Sequence, residues 1–144
     1  MTEKIKLSAE DRKLKAKIIK MVNEVKNDVF NFALNSYTIT LNFMWGECDD
    51  VKFSKKAMSV STDWEYLQAE IKIYVPVIQE WLNSSKETEE YKDKALYTYI
   101  IHELLHVVLA ELTYNNQEWQ DKHEERVVTL LSNRICAIWK GESK

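Results

Sequence analysis

His102-Glu103-Leu104-Leu105-His106 is the stretch whose residue types and spacing can do chemistry. On a helix, two His four positions apart fall on one face about one turn apart, so both imidazoles can reach a single ion at about 2.0–2.1 Å, as zinc requires. Glu103 lies roughly 100° further round. There its carboxylate can sit beside the metal without binding it and take a proton from a water that the metal activates. The chain has three His and sixteen Glu, and a shuffled chain of that composition shows the pattern about once in two hundred times. The flanks Ile100, Ile101, Leu104, Leu105, Val107, Val108 and Leu109 are apolar on nearly all sides. Two His and a Glu inside such a helix are costly unless they have a partner, and a metal ion is such a partner.

The elements that must position this motif can be read from periodicity. Ser8 followed by Asp11 resembles a capping box, and Leu14, Ile18, Met21, Val22, Val25, Val29 and Phe32 then recur at helical steps, predicting an amphipathic helix to about Leu34. From Tyr37 to Trp45 the period changes to two, as a half-buried strand requires. Ala57 to Thr62 reads as a second strand and Gln68 to Val75 as a third, and the three are expected to be mostly antiparallel. Pro76 suits the first turn of a short helix to Leu82. A long helix follows from Tyr91 to about Leu112, then a turn over Thr113 to Gln117 and a last helix from about Glu118 to Trp139. Helix, three strands, then helices is an α+β order.

A length of 144 residues predicts one domain over 1–144, and 45% apolar residues with five Trp exclude disorder. Two Gly and one Pro are too few for a turn-rich sandwich or barrel. A net charge of −3 argues against a nucleic-acid surface over the whole molecule. The first twenty residues nevertheless carry seven Lys or Arg against three acids, which reads as a solvated helix face. Cys48 and Cys136 are expected to be reduced thiols. No N-terminal apolar region and no run of spanning length is visible, so the expected location is cytoplasmic, without membrane contact.

The third metal ligand is sought among His123, Glu124 and Glu125 on the last helix. A helical wheel puts Glu124 nearest the apolar stripe Val127, Val128, Leu131, Ile135 and Ile138, Glu125 near its edge and His123 on the other side.

The motif helix resembles the active-site helix of zinc metallopeptidases of the zincin group. The following acidic helix is similar to the gluzincin branch in a minimal, single-domain form, over about Tyr37 to Trp139. The metzincin pattern does not fit, since Leu109 and Leu112 stand where Gly and His would be needed. The resemblance implies a Zn²⁺ cofactor, His102 and His106 as ligands and Glu103 as general base. It also implies a sheet edge, expected within Ala57 to Val75, that holds an extended peptide or protein substrate by main-chain pairing. It favours Glu125 as third ligand over Glu124 and His123: Glu125 stands nineteen positions after His106 and is followed by Val127, Leu130 and Leu131. Tyr114 is a candidate oxyanion donor.

Two other function classes fit parts of the chain. One is a zinc-bearing interaction module without turnover, and the other is a nucleic-acid-binding adaptor using the basic N-terminal helix. Glu103 at the general-base position, with neither Cys near the motif to close the metal site, favours the peptidase.

Overall fold

The computed structural model describes residues 8–45, 56–113 and 117–141. Helix α1 spans Ala9–Asp28 and starts at the expected capping box, with Asp11 N–H donating to Ser8 Oγ at 3.0 Å and Ser8 N–H to the Asp11 carboxylate at 3.3 Å. The run Asn27-Asp28-Val29 joins weak helix formers, and the helix stops there before a short α2, Asn31–Leu34. The single long helix expected to Leu34 is thus two.

Strands β1 (Thr38–Met44), β2 (Met58–Asp63) and β3 (Gln68–Tyr74) form one sheet in the order β1-β3-β2. β2 pairs antiparallel with β3, whereas β1 pairs parallel with β3, so the sheet is mixed and the mostly antiparallel expectation is corrected. The physical reason lies in the short β2–β3 link. It forces a hairpin and occupies one edge of β3, leaving β1 only the other edge, reached through a long crossover. Leu67 in that link has φ 54°, and its carbonyl accepts the Thr38 N–H at 2.8 Å, fixing where β1 begins.

Helix α3 (Val75–Ser84) carries Pro76 in its first turn, where a missing N–H does no harm. Helix α4 (Glu89–Thr113) holds the motif and is the centre of the molecule, packed against α1, β2 and the last helix. Its Leu96, Ile100, Ile101, Leu104 and Val107 are fully buried alongside Ile18 and Val25 of α1 and Ile71 and Ile73 of β3. The chain then runs through a short α5 (Gln117–Trp119), a π-helical turn (Gln120–Glu124) and α6 (Glu125–Trp139). α6 buries Val128, Ser132 and Cys136, while Leu131 is 43% and Ile138 57% exposed. The expected apolar stripe is therefore rotated, and the buried face includes a serine. Tyr97 on α4 pins three helices together. Its hydroxyl donates to Glu24 of α1 at 3.1 Å, and its ring meets Trp139 of α6 edge-on. The helix, three-stranded sheet and following helices are α+β, as the sequence order predicts. Among the described residues, no helix is long and apolar enough to cross a membrane.

Candidate metal centre

His102, Glu103 and His106 lie on α4 because the surrounding apolar residues carry that helix through the core on most of its circumference. The remaining stripe opens into a cleft of about 1280 Å³, bounded by β2 on one side and α6 on the other. His102 and His106 point into the cleft, one helical turn apart, and Glu125 of α6 reaches across to both. His102 Nε2 is 2.8 Å from Glu125 Oε1, His106 Nε2 is 3.1 Å from Glu125 Oε2, and the two Nε2 atoms are 3.3 Å apart. One donor atom from each of these residues thus lies within 4.8 Å of the others, a set suited to one ion. Two imidazole nitrogens and a carboxylate oxygen match the donor chemistry of a catalytic zinc site, which needs three protein ligands and access for water. Glu125 is 67% exposed and leaves that access open.

Glu124 does not join the donor set. It is 15% exposed, and its Oε2 lies 2.8 Å from His106 Nδ1, on the opposite side of the ring from Glu125. Its Oε1 is 3.0 Å from the Thr113 hydroxyl, and Gln120 Nε2 donates to that hydroxyl at 3.1 Å and to the Thr113 carbonyl at 2.7 Å. His123 is exposed and outside the cluster. The wheel that put Glu124 nearest the core judged its burial correctly, but its partner is the Nδ1 of His106 and it stands outside the donor set. Tyr114 and Cys48 lie outside the described residues, while Cys136 is a free, buried thiol.

Glu103 is 8% exposed on the same cleft. Burial, with the negative charge of Glu125 in support, pushes its carboxyl up to about 8, and Lys56 pulls the other way. A carboxyl poised near neutrality suits general acid–base work. Burial also lowers His102, with Glu125 opposing, which favours the neutral imidazole that a metal binds.

The β2 side of the cleft is a strand edge. Tyr74 N–H donates to Ala57 O at 2.9 Å, so by alternation Ala57, Ser59 and Ser61 turn their main-chain groups toward β3. Met58, Val60 and Thr62 then direct theirs away from β3, and all three line the cleft.

The sequence does not reveal the contact of Glu124 with His106, nor that Thr113, Gln120 and Lys56 stand at the site. Only the four-residue spacing of Gln120 and Glu124 hinted at a shared face. No family model, curated protein or solved structure matches the chain.

Proposed function

We propose that the protein is a zinc-dependent peptidase, similar in its motif helix to the gluzincin branch of the zincins. The observation that carries this reading is the convergence of Glu125 on both motif imidazoles, with Glu103 buried beside them. His102, His106 and Glu125 would hold the ion. Zinc, when bound, supplies a Lewis acid that lowers the pKa of water toward neutrality and polarises a scissile carbonyl.

The remaining work falls to the chain's own groups. Glu103 takes one proton from water as the water oxygen bonds to the scissile carbon. It then hands that proton to the amine nitrogen as the carbon–nitrogen bond breaks. The substrate is an extended peptide laid beside β2, where the outward main-chain groups of Met58, Val60 and Thr62 offer a ladder.

A purely structural zinc site does not need a buried carboxylate at the position of Glu103, and such sites are closed by a fourth protein ligand. Incubating zinc-loaded wild type and Glu103→Gln with a peptide library, and reading new termini by mass spectrometry, tests the reading. Cleavage by wild type alone supports it. Cleavage by neither defeats it, and equal cleavage by both removes Glu103 from the mechanism.

A further inference from the structure

We propose that Glu124 is a positioning residue, fixing His106 as the Nδ1–H tautomer and aiming its Nε2 lone pair at the ion. The inference rests on the zinc reading above and adds to it a residue that binds neither metal nor substrate.

His106 has a carboxylate at each ring nitrogen, Glu124 at 2.8 Å from Nδ1 and Glu125 at 3.1 Å from Nε2. A neutral imidazole has one proton and can satisfy only one of them. The Glu124 contact is shorter and belongs to the more buried carboxylate, so the ring proton sits on Nδ1. Nε2 then turns a lone pair toward Glu125 and toward His102 Nε2, a grouping that a cation reconciles. Hydrogen bonding at one ring nitrogen in this way sets the tautomer and raises the basicity of the other.

Glu124 is itself held from α4, by Thr113 as well as by His106. Thr113 ends α4 and places its hydroxyl 3.0 Å from Glu124 Oε1, while Gln120 binds Thr113 through both its hydroxyl and its carbonyl. The π turn makes this arrangement available. Its wider winding carries Gln120 to Thr113 and delivers the consecutive residues Glu124 and Glu125 to opposite sides of one ring.

The test titrates zinc, against a competing chelator, into metal-stripped wild type, Glu124→Ala, Glu124→Gln, Thr113→Val and Glu125→Gln, after melting curves confirm which variants fold. Glu124→Ala is expected to weaken zinc binding about 10–100-fold, and Glu124→Gln by less, because its amide oxygen still accepts from Nδ1–H. Thr113→Val is expected to weaken binding several-fold, and it carries the test if Glu124→Ala does not fold. Ring-proton NMR of the metal-stripped proteins gives a second readout. The Nδ1-bound proton of His106 should exchange slowly with solvent in wild type and rapidly in Glu124→Ala. Wild-type zinc affinity in Glu124→Ala overturns the proposal while leaving the zinc reading intact. A loss in Glu124→Gln as large as in Glu125→Gln also overturns it, by making Glu124 a ligand. If wild type binds no zinc, the zinc reading fails. The proton readout then still decides whether Glu124 holds Nδ1.

Discussion

His102 Nε2 and Glu125 Oε1 stand 2.8 Å apart although the two residues come from different helices, so α4 and α6 meet through a potential ligand pair. An ion held there bridges both helices and binds the folded state alone, which couples metal affinity to stability. Chelation should therefore lower the melting temperature of zinc-loaded protein, and readdition of zinc should restore it. Differential scanning calorimetry checks this, and an unchanged transition would contradict it.

Substitution separates two of the three residues that the sequence offered as third ligand, Glu125 and His123. Glu125→Gln should reduce zinc affinity severely, because the amide keeps shape but loses the charged donor. His123→Ala should leave affinity at the wild-type level, since that side chain is exposed and outside the cluster. Competition titration of both variants reads the difference.

The pH dependence of metal-stripped protein reports on Glu103. Its carboxyl is raised from 4.5 to about 8 on folding, so the folded state binds the proton more tightly than the unfolded chain does. That contribution to stability is fully present below the unfolded value and is lost as pH rises to about 8. Relative to Glu103→Gln, metal-stripped wild type should lose on the order of a few kcal/mol across this window. Melting temperatures at about pH 5 and about pH 8.5 measure the loss, and parallel behaviour of the two proteins would contradict it.

Much of this was legible in the sequence because it depends on local rules. The Ser8–Asp11 box starts α1, the period-two runs at Tyr37 and Gln68 became strands, and the apolar flanks of His102 and His106 kept their helix in the core. The pairing of β1 with β3 was not legible, because alternation fixes a strand's faces but not its neighbour or direction. Glu124 and Glu125 were ambiguous for another reason. A wheel assumes uniform 100° steps, and the π turn immediately before α6 departs from them. Within α6 the wheel holds, and packing against α4 buries Val128 and Cys136 while leaving Leu131 and Ile138 outside that face.

Strand addition at β2 makes a prediction that separates binding from folding. The Val60 N–H points away from β3, so Val60→Pro removes a donor to substrate without removing a ladder bond. Ser61→Pro removes a bond to β3. Val60→Pro should raise KM with a smaller fall in melting temperature than Ser61→Pro causes. An unchanged KM in Val60→Pro would place the peptide elsewhere.

The rotated face of α6 can be tested by truncation. Val128 is fully buried, whereas Ile138, which the expected stripe also included, is 57% exposed. Val128→Ala should cost about 1–3 kcal/mol and Ile138→Ala clearly less, read by urea denaturation. A larger loss at Ile138 than at Val128 would return the buried stripe to the position that periodicity alone suggested.

Metal content is the most immediate readout of the His102–His106–Glu125 cluster. Elemental analysis of protein purified without chelator should find about one zinc per chain in wild type and background levels in His106→Ala. Wild-type protein that carries no zinc and takes none up on titration would contradict the account.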